Sequence, residues 1–405
     1  MRVPPSTFEV LVNPPKLALL LIPRHSYLAM SQKTRIVIIG ASYAGIGLAQ
    51  GLLKAIPNIH VVIINPSDKF FFNIASPRIL AKSTSFKSDQ YLLPIVKAFA
   101  HAPAGAFEFI QGHAVDINTD SKTVNVSNKG NVAFDYLVIA SGSSTASSMG
   151  HGSTLAPFKP TGDKDLEASI KAAQHEIARA KTVVIGGAGA VGVEFAGELA
   201  EAFKGRKIDI ALVSSTWHVL PALKKAGSER AEEILAQKGV KLVRGRKVLR
   251  STQDLTSRKW KIDLDDGQTM EADVYISTTG VFPNNKFIPS QYLDSKGWVS
   301  VDSEMRVKGS TAVYAIGDIT SYSARLMLKV QEQIPVVACN LKNDILGQGK
   351  RKRYTPDDKV MMIVPVGSSN GTGQMFGMVP WGKMVAMIKG KDFFVSKAKN
   401  MIGMK

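Results

Sequence analysis

Two short, unbroken apolar runs rich in β-branched residues, each closing on a glycine, stand out along the chain: residues 35–40 (RIVIIG) and 181–186 (KTVVIG). A run with no polar alternation predicts a strand buried on both faces, the pattern of a parallel sheet. Each leads into a glycine-rich turn and then a helical pattern, which runs to Ala55 in the first case and over 193–203 in the second. A further apolar strand follows each helix, at 59–64 and at 208–213. Strand, glycine turn, helix and strand form the context in which a dinucleotide-binding fingerprint has physical meaning. Three more apolar runs end in small residues and glycine or Gly-Asp: 134–142 (FDYLVIASG), 274–280 (VYISTTG) and 312–318 (AVYAIGD). Such strand ends let the chain cross between domains. The order of elements predicts an α/β chain of two nested Rossmann-like dinucleotide-binding domains with a small C-terminal α+β subdomain.

The first turn reads Gly40-Ala41-Ser42-Tyr43-Ala44-Gly45. Gly40 permits a tight turn, the small Ser42 lets the backbone approach a pyrophosphate, and Gly45 lets the helix pack closely on the strand. The helix N-terminus adds amides and a partial positive charge. The second turn, Gly187-Ala188-Gly189-Ala190-Val191-Gly192, is a full GxGxxG. One copy is compatible with an ordinary tight α/β connection; two in the same context point to two nucleotide sites. Both units depart from the fingerprint at the end of the next strand, where an acidic residue usually holds the ribose hydroxyls. Asn65 stands there in the first unit and Ser214 in the second. A neutral Asn65 makes a weaker ribose bond, and Ser214 removes the carboxylate that would repel a 2′-phosphate. NADPH therefore stays open beside NADH, with Lys224 and Lys225 as cationic neighbours. Asp318 suits hydrogen bonds from a polyol such as the ribityl chain of FAD; the alternative is a cap on the following helix.

Composition narrows the classes. With 405 residues, 45% hydrophobic and 21% charged, and a mean hydropathy of +0.02, the chain is not disordered as a whole. No apolar run approaches the roughly 20 residues a membrane-spanning helix needs. The single cysteine, Cys339, excludes a disulfide framework or a CxxC pair within one chain, and its apolar, helical surroundings (336–341) predict a core-filling role. The seven histidines show no HxxxH or HExxH spacing, so no metal site is expected, and His218 reads as a satisfied loop residue. A formal net charge of +18 favours anionic partners: nucleotides, phospholipid head groups or nucleic acid. Residues 1–30 carry Pro4, Pro5, Pro14, Pro15 and Pro23, which break a continuous helix. That stretch reads as a tail or targeting segment, with the folded protein beginning near Met30.

In this order, GxSxxG, an ASG strand end, GxGxxG-x-E, TTG-x-x-P and YAIGD resemble the flavoprotein reductases with two dinucleotide domains, of the pyridine nucleotide-disulfide oxidoreductase (glutathione-reductase-like) fold. Residues 71–78 (FFNIASPR), 187–198 (GAGAVGVEFAGE), 371–377 (GTGQMFG) and 389–396 (KGKDFFVS) are similar to the apoptosis-inducing-factor-like branch, which includes the ferroptosis suppressor proteins. The resemblance spans roughly residues 33–397. It implies a first FAD-binding part at 31–148, an NAD(P)H-binding domain at 149–275, a second FAD-binding part at 276–325, and a C-terminal subdomain at 326–405. It assigns FAD to Gly40, Ser42, Ala44, Gly45, Asn65, Arg78, Ala114, Gly142 and Asp318, with Asn65 a departure from the usual acid. It assigns NAD(P)H to Gly187, Gly189 and Gly192, and implicates Glu194 and Lys389 in proton handling. It also implies a cytoplasmic flavoenzyme, compatible with peripheral attachment to a mitochondrial or lipid-droplet membrane.

With no cysteine pair, electrons must pass from reduced flavin straight to a diffusible acceptor, and the expected function is FAD-dependent transfer from NAD(P)H to a quinone. A monodehydroascorbate or redox-protein reductase and a nucleotide-sensing, pro-apoptotic or nucleic-acid-binding flavoprotein are the alternatives. Glu194 falls in the first helical turn after the glycines, so it either guards the nicotinamide pocket or interacts with the helix dipole. Arg78 is either a phosphate or flavin contact or a surface residue. Residues 381–405 hold six lysines and one acid, interleaved with Trp381, Met384, Met387, Phe393 and other apolar residues. That mixture suits docking on an anionic lipid surface, or an interface subdomain covering the flavin. The run Lys350-Arg351-Lys352-Arg353 reads as a solvated loop.

Overall fold

Both apolar runs become interior strands. The first forms β1 (Thr34–Ile39), followed by α1 (Tyr43–Ala55), β2 (Ile59–Asn65), a short α2 (Ser76–Ala81), β3 (Phe107–Gln111) and β4 (Tyr136–Ile139). The second unit comprises α3 (Leu166–Arg179), β5 (Thr182–Gly186), α4 (Ala190–Ala202), β6 (Asp209–Ser214), α5 (Lys225–Gln237) and β7 (Lys241–Arg244). An antiparallel trio, β8 (Val248–Gln253), β9 (Trp260–Leu264) and β10 (Thr269–Ala272), precedes β11 (Val274–Ser277). The chain then returns through β12 (Val313–Ala315) and the long α6 (Met327–Leu346). It ends in the hairpin β13 (Met362–Pro365) and β14 (Gly371–Gln374) and the single turn α7 (Gly382–Val385). This computed structural model describes residues 33–162, 165–357 and 359–404. The chain divides after Lys33, and residues 34–405 form one unit. The tail or targeting reading of residues 1–30 lies outside the described residues.

The strand order is β12-β4-β1-β2-β3 in one sheet and β7-β6-β5-β11 in the other. All of these pairs are parallel, with Thr34 opposite Ile59 and Thr182 opposite Asp209. Burial explains the absence of alternation in the sequence, since Val37, Ile38, Val61, Val62 and Ile63 are fully enclosed. In each sheet the glycine turn leaves a strand flanked on one side by its successor and on the other by a strand that returns much later. That is the switch point of a doubly wound sheet, where the crevice beyond the strand ends opens to a ligand. The α/β class read from the pattern is therefore the observed one.

The return of α6 across α1 depends on Gly47, where an added Cβ would lie 2.7 Å from Ile334 Cδ1. Cys339 on this helix departs from its expected role: it is half-buried, and its Sγ donates to the Lys350 carbonyl at 3.3 Å. The basic run is the exposed loop expected, and two of its residues also bond the protein. Arg351 bonds Asp344 and Glu304, and the Lys352 amide bonds Asn340 Oδ1. Those bonds were not legible in the sequence, because Glu304 lies far from Arg351 in the chain and Asp344 meets it only where the chain folds back after α6.

Candidate functional site

Each glycine turn is fixed by contacts that admit no side chain. Gly40 has φ +111°, and a Cβ on it would sit 2.3 Å from the Ala140 carbonyl oxygen. A Cβ on Gly45 would sit 1.9 Å from the Gly40 oxygen. The second turn repeats this geometry: a Cβ on Gly187 would meet Thr278 O at 2.8 Å, and one on Gly192 would meet Gly187 O at 2.0 Å. Gly189 differs, since open space lies before it. It is the N-cap of α4, as Ser42 is of α1; neither helix end has a side-chain cap or an acidic residue in its first turn. Two uncapped helix N-termini, each at a switch point and with no acidic residue in its own first turn, fit the pyrophosphates of two dinucleotides.

Around the first turn, Asn65 braces the protein. Its Oδ1 accepts from the Ala41 amide at 3.0 Å and its Nδ2 donates to the Ser67 carbonyl at 2.7 Å. Ala114 is half-buried at the start of the strand Ala114–Asn118, two residues past Gly112, whose amide bonds the Asn65 carbonyl. The crossing segments meet as expected: Ser143–Ser144 pairs antiparallel with Phe282–Pro283, and the Asn284 amide bonds the Gly142 carbonyl. Gly142 faces open space with φ +66°. The turn before Asp318 closes on α1, with Gly317 tight against Ala44. Asp318 caps no helix. Its Oδ2 accepts from Lys159 Nζ at 2.6 Å and from Ser143 Oγ at 3.0 Å, leaving Oδ1 as an acceptor for a polyol. Lys159 carried no signal in the sequence, because the residue it serves is far along the chain.

Glu194 and Lys389, distant in sequence, form one ion pair. Lys389 Nζ lies 2.5 Å from Glu194 Oε1. The helix begins at Ala190, which puts Glu194 beyond its first turn, so it is the lysine rather than the helix end that partners the carboxylate. Burial pushes the Glu194 carboxyl above its ordinary range, with Lys389 pulling the other way and Glu198 adding to the rise. Lys389 also lies over the Phe393 ring, 5.4 Å from its centroid.

Arg78 is neither exposed nor pointed at solvent. Its Nε and Nη2 grip Glu198 at 2.8 and 2.7 Å, its Nη1 donates to the Lys391 carbonyl, and its guanidinium stacks on Phe393. The pair continues through Lys82 to Glu201, which also receives the Ser368 amide. Although burial raises it, bonds from Lys82 and Ser368 bring the Glu201 carboxyl down to about 2. This network joins α2, α4 and the C-terminal segment. Glu198 was legible only as a residue four places after Glu194, one turn along the same helix.

The C-terminal segment divides its apolar residues between two faces. Val385, Phe393, Val395 and Ile402 are buried, whereas Trp381 (82%), Phe376 (77%), Met387 (74%) and Met378 (69%) stand exposed. Among the described residues, no helix is long and apolar enough to cross a membrane, and no cluster could hold a metal ion.

The pyridine nucleotide-disulphide oxidoreductase family matches residues 34–350. Oxidoreductase ptaL of Pestalotiopsis fici is 34% identical over 369 residues, covering 89% of this chain and 96% of that protein. Ferroptosis suppressor protein 1 of Xenopus laevis is 25% identical over 390 residues, covering 93% and 98%. Among solved structures, the sulfide:quinone oxidoreductase of Aquifex aeolicus shares the fold with a TM-score of 0.73, at 20% identity and covering 91% of this chain and 92% of its own.

Proposed function

Because this chain belongs to the pyridine nucleotide-disulphide oxidoreductase family and is a flavin-dependent NAD(P)H oxidoreductase that binds FAD and NAD(P)H, we propose that its electrons pass directly to a quinone-type acceptor met at a lipid surface. The observation that carries this reading is the double role of the C-terminal segment. It supplies Lys389 to the buried carboxylate beside the nucleotide turn, and it presents Trp381, Phe376, Met378 and Met387 to the outside. The chemistry supplied there, once FAD is bound, is two-electron transfer from the reduced nicotinamide to the acceptor.

The turns at Gly40 and Gly187 hold the two pyrophosphates, and Asp318 with Lys159 orients the polyol chain. Reducing a quinone by two electrons requires two protons. Glu194, whose carboxyl burial raises above its ordinary range, is placed to hold one of them, and Lys389 fixes the orientation of its Oε1. A hydrophobic acceptor partitions into lipid, and the exposed aromatic and methionine face, with the exposed Lys383 among it, suits an anionic headgroup layer. The test is anaerobic: NADH or NADPH should bleach the flavin absorbance of the purified protein, and a short-chain quinone should restore it. A flavin that neither nucleotide bleaches, or that no quinone reoxidises, overturns the reading.

A further inference from the structure

The second nucleotide site contains more cationic chemistry than its sequence motif suggests. Sheet register places Arg244, the last residue of β7, directly opposite Ser214, the last residue of β6. This is the strand end at which a dinucleotide fold presents its ribose-binding carboxylate, here replaced by a hydroxyl. The chain beyond β7 folds back on the same spot, with the Arg246 amide bonding the Ser214 carbonyl at 2.9 Å and the Gly245 amide bonding Thr216 O at 3.2 Å. The loop after β6 also touches the fingerprint turn, since the Leu220 amide donates to the Ala188 carbonyl at 2.8 Å. Ser214, Arg244 and Arg246 thus border the place where the adenosine end of the nucleotide must lie.

Two carboxylates stand nearby, and both are already engaged. Glu232 is buried and accepts from the Val219 amide at 3.0 Å, from Arg244 Nη2 at 2.9 Å, and contacts His218 Nδ1 at 3.2 Å. Asp266 pairs with Arg246 Nε. Arg244 carries a buried, unpartnered Nε, Arg246 donates its Nη1 to the Gly245 carbonyl at 2.9 Å, and both side chains remain about a third or more exposed. Trp217 lies 68% exposed at the rim, its ring 3.8 Å from where a Cβ on Gly245 would be, and offers a flat face to a purine. The lysines that the sequence suggested are committed elsewhere: Lys224 Nζ donates to the Gly377 carbonyl and Lys225 pairs with Glu229.

We infer that this strand end is an adenosine 2′-phosphate site, with Arg244 and Arg246 as its phosphate ligands, so that NADPH is the preferred electron donor. Bidentate guanidinium recognition of a phosphate, with no carboxylate at the strand end to repel it, gives the discrimination. The inference rests on the nucleotide-domain reading above, but its test is independent of turnover.

The oxidised flavoprotein is titrated calorimetrically with 2′,5′-ADP and with 5′-AMP, which share the adenosine and differ in the 2′-phosphate. The expected result is binding of 2′,5′-ADP at least ten-fold tighter, with the ratio shrinking in high salt. Arg244→Met and, separately, Arg246→Met should each reduce that ratio about ten-fold. Flavin absorbance and melting temperature serve as folding controls, and Arg246→Met, whose partner is the surface Asp266, covers the case in which loss of Arg244 perturbs Glu232. Equal or weaker binding of 2′,5′-ADP, or a ratio unmoved in the folded variants, overturns the inference. If NADH nevertheless bleaches the flavin, the oxidoreductase reading survives and only the 2′-phosphate site is lost.

Discussion

Lys389 Nζ sits 2.5 Å from Glu194 Oε1, joining the C-terminal segment to the helix that carries the GxGxxG turn. The carboxylate is almost wholly buried, so desolvation dominates its proton affinity, with Lys389 and Arg78 opposing the rise and Glu198 adding to it. If Glu194 delivers a proton to the reduced acceptor, Glu194→Gln should slow quinone-dependent flavin reoxidation about 100-fold. Flavin reduction by the nucleotide should change far less. Because the carboxyl is raised, wild-type reoxidation should be fastest at low pH and decline as pH climbs through a value above the ordinary carboxylate range. The variant profile should be flat there. Stopped-flow traces of the two half-reactions across pH decide the matter, and an unchanged profile in Glu194→Gln removes the residue from the proton path.

Arg78 makes its bonds to protein groups, which separates two roles that the sequence left open. Arg78→Met leaves Glu198 with Lys82 alone and should cost about 3–5 kcal/mol of stability, because a buried carboxylate loses its bidentate partner. The double variant Arg78→Met/Glu198→Leu should recover part of that loss. Urea unfolding followed by tryptophan fluorescence reads both. Flavin should stay bound until the protein unfolds; release of flavin well below the unfolding midpoint instead identifies Arg78 as a cofactor ligand.

Two glycines of the second turn should respond differently to the same methyl group. Gly192→Ala puts a Cβ 2.0 Å from the Gly187 oxygen and should distort the turn, lowering the melting temperature by several degrees. Gly189→Ala enters open space, so it should keep wild-type stability while weakening NAD(P)H binding, because the methyl occupies the path of the pyrophosphate. Differential scanning calorimetry and nucleotide titration of both variants would show whether the two effects separate.

The exposed face of the C-terminal segment makes a membrane prediction. Burying a large apolar side chain in lipid is worth roughly 1.5–3 kcal/mol. Trp381→Ser combined with Met387→Ser should therefore lower sedimentation with anionic phosphatidylserine vesicles more than ten-fold. Activity toward a water-soluble quinone should be unaffected. Equal vesicle binding by the double variant places the lipid contact elsewhere.

Glu201 gives the network an acid limit. Its carboxyl is held at about 2 when folded, below the usual value of about 4.3 in an unfolded chain. A lowered carboxyl contributes stability that is present above the unfolded value and is lost as pH falls toward the folded one. That contribution, about 2 kcal/mol after allowance for partial exposure, should disappear between roughly pH 4.5 and 2. In Glu201→Gln the stability should be lower at neutral pH and vary less with pH across that window, as measured by urea titrations at fixed pH.

Local pattern was enough to specify the two fingerprint strands, their turns and the helices behind them. Unbroken β-branched runs, and glycines where no Cβ fits, leave one local solution. The tight glycines of the two turns were legible for the same reason, whereas Glu194 and Lys389 were pointed to by the resemblance rather than by local geometry. Partners were not legible. Lys159 on Asp318, Glu198 on Arg78 and Arg244 opposite Ser214 are separated by long stretches of chain, and only sheet register and helix packing bring them together. The division of the C-terminal apolar residues into a buried set and an exposed set was decided by the same tertiary packing. A side chain's chemistry is written locally, but its protonation, pairing and exposure depend on neighbours that the fold alone supplies.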